Sequence, residues 1–271
     1  MGGLIPKKAE LRVPSIKGAL RFWWRAINAY LPLDKLKEQE AETFGDAGDN
    51  YGKSKVQMKI TKSLIYNGRS KENPVPHKNA TFAFPCFNAG EKFSLKIYGT
   101  KKIFDLFILM SILGGIGKRS RRGFGSFKIN KIDGVDFNLS ISTQEILNLI
   151  NGIAENNKFK IDNGNIIRKD TINANYAFVK SIEIGTASLK SYKEALRTIG
   201  QSSHDNNSNY TGYAIGKERF SSPVYVSVII MGNDYWPIIT TLNTAFKKQN
   251  HNHGVDRSTQ FKKDILSGGS R

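Results

Sequence analysis

The glycine-rich segment at residues 114–125, GGIGKRSRRGFG, holds the residues of this sequence that are best suited to contacting an anion. Glycine allows positive φ and a close approach of the backbone, so that successive N–H groups can point at a phosphate, while arginine adds a planar pair of donors. The segment carries four cations, Lys118, Arg119, Arg121 and Arg122. Such a loop is typical of a contact with a nucleic acid.

Two simpler explanations of this glycine-rich loop stay open. Glycines at this density also make tight turns, and a run of cations is often a solvated face. A turn alone does not require neighbouring cations that repel each other, which favours a polyanionic ligand. The loop lacks the Gly-Lys-Ser/Thr ending of a nucleotide-binding P-loop. It also runs from a predicted helix to a predicted strand, the reverse of a dinucleotide-binding fingerprint.

The charge of the whole chain points to the same class of partner. The net charge is +18, from 41 basic and 23 acidic residues. Residues 1–135 carry 25 basic and 11 acidic side chains, a net of +14, whereas residues 136–271 carry 16 and 12, a net of +4. The first half is therefore the expected electrostatic footprint of a nucleic acid.

Composition also argues against several classes of protein. Cys86 is the single cysteine, so neither an internal disulfide nor a thiolate metal cluster is expected, and the four histidines are scattered. We expect no metal, no cofactor and a cytoplasmic location. The apolar run at residues 103–113 contains Asp105 and is too short to span a bilayer, so no membrane role is expected.

A basic helix is predicted before the loop, over residues 16–31 with Ser15 as its N-cap. Apolar residues at helical spacing predict a core-facing side, made of Ile16, Leu20, Trp23, Ile27 and Leu31. A second side carries Lys17, Arg21, Trp24, Arg25 and Asn28. This side is either a solvated face or, at the start of a helix, a phosphate-binding surface.

The remaining periodicity predicts an α+β fold. Further helices are predicted at residues 103–113, 143–155, 189–200 and 237–246. Strands are predicted at residues 56–65, 93–98, 124–132, 177–184 and 224–231. Irregular segments are predicted at residues 44–52 and 66–88, with mobile stretches at 202–211 and 267–271. This order suggests two ferredoxin-like βαββαβ units, the first lacking or shortened in its first strand, with a domain boundary near residue 135.

Several motifs together resemble a known family. They are LRVPSIKGALRFWWR at residues 11–25, ETFG at 42–45, the glycine loop at 114–125 and RFSSP at 219–223. The chain resembles the family of first subunits of the Cmr complex, RAMP-superfamily proteins of type III-B CRISPR effectors. The run at residues 11–25 is specific to that subunit family, whereas the glycine loop marks the superfamily.

The resemblance implies two RRM-like folds, binding of CRISPR guide RNA and target RNA, and assembly with other Cmr subunits in antiviral defence without independent catalysis. Family members usually begin with a further strand that ends in a Gly-Gly turn, of which Met1-Gly2-Gly3 is the counterpart here. We expect that strand to be lacking or supplied by another polypeptide, which would leave an open sheet edge. The residues predicted to contact RNA are Ser15, Lys17, Gly18, Arg21, Trp24, Arg25, Gly115, Gly117, Lys118, Arg119, Ser120, Arg121, Arg122, Gly123 and Gly125.

Two other functions stay open. A RAMP-type endoribonuclease would need a histidine or a carboxylate acting as acid or base, but His77 and His204 lie in predicted loops and no histidine pair is evident. Asp46 and Asp49 could hold a metal, although acidic residues in such turns usually bond to the backbone. The third hypothesis is a scaffold protein whose basic surface contacts acidic partner subunits. Salt dependence of RNA binding separates the scaffold from an RNA-binding subunit.

Overall fold

Helices and antiparallel strands alternate along the chain in a computed structural model, which describes residues 8–46, 52–79, 82–139, 141–215, 218–245 and 254–269. The predicted mixed α and β class with antiparallel sheets is therefore confirmed. The finer division into two ferredoxin-like units stays a prediction.

The helices found in these residues are α1 Val13–Ile27, α2 Leu33–Phe44, α3 Lys101–Leu113, α4 Thr143–Ile153, α5 Tyr192–Asp205 and α6 Ser258–Leu266. The first six strands are β1 Gln57–Lys62, β2 Lys71–Glu72, β3 Phe84–Pro85, β4 Ser94–Tyr98, β5 Lys131–Ile132 and β6 Val135–Asp136. The others are β7 Phe159–Asp162, β8 Asn165–Arg168, β9 Val179–Ile184, β10 Tyr213–Ile215, β11 Glu218–Phe220, β12 Val224–Met231 and β13 Asp234–Leu242.

Helix α1 begins three residues before its predicted start. Arg12 is its N-cap and makes no side-chain cap, and Pro14 lies in the first turn, where its missing N–H is not needed. Ser15 is therefore inside the helix, and its prediction as the N-cap was wrong. The predicted core side is correct over the helix itself, where Ile16, Leu20, Trp23 and Ile27 are buried; Leu31 lies beyond the end of α1.

A five-stranded antiparallel sheet in the order β12-β13-β9-β8-β7 forms the centre of the fold. Successive side chains of a strand point to opposite faces, and both faces of β12 are buried. Val224 and Val226 pack in a small cluster with α5 and α6, whereas Tyr225 and Ile229 join the larger cluster that contains α1, α3 and α4. The sheet is thus covered by helices on both faces.

Two predicted elements were wrong. The helix predicted at residues 237–246 is largely strand β13, because Gly232 at φ +61° closes a tight turn and the β-branched run Ile238 to Thr241 suits a buried strand. The strand predicted at residues 124–132 is also wrong. Residues 124–130 form no strand, and β5 with β6 makes only a short hairpin around Asp133 and Gly134.

Several elements were not anticipated. Helices α2 and α6 were missed, and so was the β7–β8 hairpin, although its Asn163-Gly164 turn with positive φ at both positions is a strong hairpin signal. Residues 202–211 were predicted to be mobile. Instead α5 extends to Asp205, and buried Asn206 donates to Asp264 Oδ2 of α6 at 2.8 Å, so this polar segment is packed.

One large core cluster contains residues from both sides of the predicted boundary near residue 135. The larger cluster joins Ile16, Leu20 and Leu109 from the first half to Ile146 and Ile182 from the second. The boundary as a division between domains stays a prediction. The family's first strand would fall at residues 1–7, outside the described part of the chain. Within that described part, no helix is both long and apolar enough to cross a membrane.

Arg168 connects the central sheet to α1 through hydrogen bonds. Its guanidinium donates to Ile27 O at 2.7 Å and Ala26 O at 3.3 Å, and its Nε donates to Val179 O at 2.7 Å. The side chain is 3% exposed and its cation lies 4.4 Å from the ring centre of Phe159. Positive charge at the carboxyl end of a helix is favourable, because the last carbonyls carry the negative end of the helix dipole.

We predict that Arg168→Met lowers the free energy of unfolding by about 2–4 kcal/mol, since three carbonyl groups lose a charged donor that methionine cannot replace. Lys169→Met at the exposed neighbouring position is the control and should change it by less than about 0.5 kcal/mol. Urea unfolding followed by circular dichroism measures both. Equal stability of the two variants would contradict the role given to Arg168.

Candidate nucleic-acid interface

The glycine loop begins where α3 meets α1. Gly114 ends α3, and its N–H donates to Met110 O at 2.9 Å. A Cβ on Gly114 would lie 2.6 Å from Nε1 of Trp23, closer than real Cβ contacts allow. Glycine is therefore required for α3 to end against the buried indole of α1.

The two ends of the loop then close on each other. Ile116 N donates to Gly125 O at 2.9 Å, and a Cβ on Gly115 would lie 2.7 Å from Phe124 O. Gly125 has φ +68°, and a Cβ there would overlap Ile116 O. These two glycines thus have an internal steric role. Gly117, at φ +103°, has nothing within 4 Å of its Cβ position and faces open space.

The second part of the loop lies along the edge of the central sheet. Gly123 N donates to Val226 O at 2.9 Å and Val226 N donates to Arg121 O at 3.2 Å, in a parallel arrangement on β12. Val228 N donates to Ser126 Oγ at 3.1 Å. The loop therefore satisfies donors and acceptors on the outer side of an edge strand, which would otherwise be free to pair with another chain.

Arg122 points into the protein rather than toward a ligand. Its guanidinium donates to the carbonyl oxygens of Val224, at 3.1 Å, and Thr211, at 2.5 Å, and lies 4.9 Å from the ring centre of Phe261. Burial lowers the pKa of Arg122 to about 9, with smaller contributions from the charges of Arg119 and Arg121. At neutral pH it stays charged and bound internally, so its prediction as a phosphate ligand was wrong.

Arg121 has a mixed environment. Its Nη1 donates to Ser222 O, and its cation lies 5.4 Å from the ring centre of Phe22 and 5.8 Å from that of Tyr225. Burial lowers the pKa of Arg121, and Tyr225 opposes that shift. The side chain nevertheless lines an open cleft, so its charge can act on a ligand there.

Lys118 and Arg119 are the exposed cations of the loop. The Lys118 ammonium lies 4.7 Å from the ring centre of Phe84, and the Arg119 guanidinium lies 5.9 Å from that of Phe124. Arg119 adopts φ +57°, which is uncommon for a residue with a side chain. Its carbonyl accepts from Arg122 N at 2.8 Å, closing the turn that exposes these two cations.

The basic side of α1 is partly covered by α2. Arg21 Nε donates to Glu40 Oε1 at 2.7 Å and Arg25 Nη1 donates to the same oxygen at 3.2 Å. Glu40 is almost fully buried beneath them, whereas the Arg21 and Arg25 side chains are 36% and 48% exposed. Trp24 packs against Phe44 at a ring-centre distance of 6.4 Å. The unpredicted helix α2 thus supplies the carboxylate that binds both arginines.

The arginines of α1 and Arg122 of the loop do not converge on one phosphate site. Arg21 and Arg25 both bind Glu40 of α2, whereas Arg122 binds the region around β12, so the guanidinium groups of α1 and of the loop point to different parts of the fold. Lys17 is also on α1. Burial lowers its pKa, and the nearby charge of Arg21 lowers it further. Gly18 is exposed near the middle of α1, with nothing within 4 Å of its Cβ position.

A cleft of about 320 Å³ does join α1 to the loop. Its predicted residues are Ser15, Gly115, Gly117, Ser120 and Arg121. Ala19, Phe22, Trp23 and Tyr225 complete the lining. The cleft combines a helix start, exposed loop backbone and a cation, which is the combination that binds phosphate groups. We call it the α1–loop cleft.

Sequence reasoning missed the aromatic lining of this cleft. Trp23 was assigned to the core, Phe22 to no role, and Tyr225 lies in the second half of the chain. Burial raises the pKa of the Tyr225 hydroxyl, against hydrogen bonding to Ser120 and Gly115. The one available signal was position, because Tyr225 closely follows the RFSSP motif.

The structure forms a histidine pair that the sequence did not indicate. The rings of His77 and His204 stack with centres 5.0 Å apart and planes 23° apart. Burial, followed by the charges of His204, Lys78 and Arg119, lowers the pKa of His77, while Asp205 opposes this shift. Its Nδ1 is buried and has no partner among the described residues. The pair joins the part of the chain around His77 to α5.

The possible metal ligands do not converge within the described part of the chain. No group of three or more histidine, cysteine, aspartate or glutamate side chains is found there. Asp46 is exposed at the end of α2, and Asp49 lies outside the described residues. Phosphate binding is the chemistry that the geometry of the α1–loop cleft fits best.

The amino-terminal part of the chain is similar to a known superfamily. Residues 3–128 match the family model described as the RAMP superfamily. The match ends just beyond the glycine loop, so it includes α1, α3 and the loop residues of the cleft.

Comparison with individual proteins gives a more specific similarity. The chain is similar to the CRISPR system Cmr subunit Cmr1-1 of Pyrococcus furiosus, with 32% identity over 142 residues, covering 44% of this chain and 40% of the relative. The chain thus spans less than half of that relative's length. The resemblance to first subunits of the Cmr complex is confirmed.

Two solved structures share the fold. The apo crystal structure of Cmr1 from Pyrococcus furiosus has a TM-score of 0.55 at 19% identity, covering 98% of this chain and 93% of the other. A chain of a cryo-EM structure of the Type III-B Cmr-beta complex bound to cognate target RNA has a TM-score of 0.52 at 14% identity, covering 95% and 92%.

We predict that Gly125→Ala destabilises the protein by about 1–3 kcal/mol, because it adds a steric overlap with Ile116 O to an unfavourable φ. Gly117→Ala is the matched control. It has positive φ but open space, so it should cost only about 1 kcal/mol. Thermal unfolding measures both, and an equal loss would mean that closure of the loop ends is unimportant.

We also predict that the His77 contact makes stability depend on pH. Because the pKa of His77 in the folded protein lies below the usual 6.5, the unfolded chain binds a proton at His77 more readily. The contribution of the His77 contact to the free energy of unfolding is therefore present above about pH 6.5 and is lost as pH falls. His77→Phe keeps an aromatic ring against His204 without titrating. The melting temperature of the wild type should therefore fall more steeply than that of His77→Phe between about pH 7.5 and about pH 5.5. Parallel curves would contradict this.

Proposed function

We propose that this chain is a non-catalytic RNA-binding subunit of a type III-B CRISPR (Cmr) effector complex and contacts the backbone of guide RNA, target RNA or both during antiviral defence. The α1–loop cleft carries the proposal, since it combines the start of α1 with glycine backbone and Arg121. Its partners are other Cmr and RAMP subunits. A cytoplasmic location and two RRM-like units are part of the same proposal.

The electrostatics support a ligand with repeated negative charge. Lys118 and Arg119 are exposed and lie in the sequence between Gly117 and Ser120, two residues of the cleft lining. The first half of the chain carries a net charge of +14 from 25 basic and 11 acidic residues. These cations contact phosphates rather than base edges. The affinity for RNA should therefore depend strongly on salt and weakly on RNA sequence.

Phe22 gives the cleft a partly exposed aromatic ring, which fits single-stranded RNA better than a small anion, whereas the neighbouring rings of Trp23 and Tyr225 are buried. Phe22 and Tyr225 lie beside Arg121, and Phe22 also lies edge-on to Trp23. Rings beside a cationic backbone track are how proteins hold single strands with little sequence preference, because every base has a π face. The relatives named above include a chain from a complex bound to target RNA, which agrees with this class of ligand.

An endoribonuclease is the alternative, and the His77–His204 pair is the observation that favours it. General acid–base cleavage needs two groups that both reach the RNA. Here the rings stack on each other, and His77 Nδ1 is buried. We infer that the pair is structural, so cleavage by the purified protein is not expected.

We predict that the protein binds a labelled uridine homopolymer of about 20 nucleotides, with affinity falling steeply between about 50 and about 200 mM salt. Lys118→Gln and Arg119→Asn should each weaken binding about fivefold and flatten the salt slope by about 0.7, because each removes one phosphate contact. Asparagine is chosen at position 119 because it tolerates positive φ.

Lys128→Gln is the control, since Lys128 is exposed just beyond the loop. Fluorescence anisotropy gives the affinities, and a denaturing gel of the same samples detects cleavage. Wild-type affinity that does not respond to salt would contradict RNA binding through phosphates. Specific cleavage that His77→Phe abolishes would favour the endoribonuclease.

Gly18→Ala separates stability from RNA binding on the exposed side of α1. The added Cβ meets nothing within 4 Å and removes a glycine from a helix interior, so the variant should be more stable by up to about 1 kcal/mol. If RNA packs against this part of α1, the same variant should bind more weakly. A stabilised variant with full affinity would remove Gly18 from the interface.

A further inference from the structure

The ribbon formed by β1 and β4 has one buried side and one basic side. Met58, Ile60, Leu95 and Ile97 are partly buried and pack against the larger core cluster. The alternate residues are exposed, as strand geometry requires. We call this exposed side, made of Gln57, Lys59, Lys62, Ser94, Lys96 and Tyr98, the ribbon face.

The register sets two like charges directly opposite each other on the ribbon face. Lys59 pairs with Lys96 across the strands, next to the pair Gln57 and Tyr98. Like charges at directly opposed positions are destabilising. Neither lysine has an ion pair within the described residues, and neither strand contains an acidic residue. The fold therefore keeps an arrangement that costs stability and that an anionic ligand would relieve.

Tyr98 places an exposed aromatic ring on the ribbon face, which solubility alone does not require. Its side chain is 58% exposed, at the pair adjacent to the opposed lysines. An exposed ring on a strand, beside cations on the same face, matches the way sheet surfaces bind single-stranded RNA: the ring stacks on a base while the cations contact phosphates. A site for an acidic protein would use the lysines but would not require the ring.

We propose that the ribbon face is a second binding site for single-stranded RNA, in which Tyr98 stacks on a base and Lys59, Lys62 and Lys96 contact the flanking phosphates. This proposal rests on the RNA-binding function proposed above, because both sites take the same class of ligand. It is distinct from the α1–loop cleft, to which the ribbon face contributes no residue.

The test compares affinity and salt dependence of the full chain for the labelled uridine homopolymer. Lys59→Gln/Lys96→Gln should weaken binding by about tenfold or more and lower the salt slope by about 1.4, the value for two lost contacts with a single strand. Tyr98→Ser should weaken binding about tenfold with an unchanged salt slope, while Tyr98→Phe should bind normally. The double lysine variant should fold with equal or higher thermal stability, since it loses a repulsion.

Lys160→Gln/Lys180→Gln is the charge-matched control, because both lysines are exposed on strands of the central sheet. An equal loss in this control would mean that only total charge matters, and the ribbon site would be wrong. Full affinity in Tyr98→Ser would also overturn it. If the ribbon lysines affect binding of polyglutamate but not of RNA, the face meets an acidic protein instead. Loss of RNA binding in Lys118→Gln alone, with intact ribbon variants, would leave the proposed function standing and reject only this second site.

Discussion

The contact between the glycine loop and strand β12 is the constraint on which the rest of this structure depends. The loop belongs to the first half of the chain and β12 to the second, yet their backbones pair at Val226 and the guanidinium of Arg122 donates to carbonyls on the β12 side. Because buried backbone groups need partners, this pairing fixes both the path of the loop and the covered edge of the sheet.

The loop consequently divides its cations between two tasks. Arg122 satisfies internal carbonyls, Arg121 stands at the wall of the cleft between Phe22 and Tyr225, and Lys118 and Arg119 remain exposed. A charged group that is desolvated needs fixed partners, whereas an exposed one keeps its water until a ligand replaces it. The same short sequence therefore supplies both the anchor of the site and the groups that can reach a phosphate.

Much of the fold could be predicted from local pattern. Helices α1, α3, α4 and α5 and strands β1, β4, β9 and β12 lie close to their predicted positions, because their apolar periodicity is strong. The errors fall where tertiary contacts override local preference. The local pattern of residues 237–246 predicted a helix. Strand β13 instead pairs with β12 on one side and with β9 on the other, and this backbone pairing decides its conformation.

By itself, the sequence determined the charge of the chain, the buried side of α1, the glycine loop and the resemblance to first subunits of the Cmr complex. Only the tertiary structure decided which cations are available. Arg21 and Arg25 are held by Glu40, and His77 meets His204 from far along the chain. The physical reason is that side-chain type and spacing set local conformation, whereas burial and partners depend on contacts between segments distant in sequence.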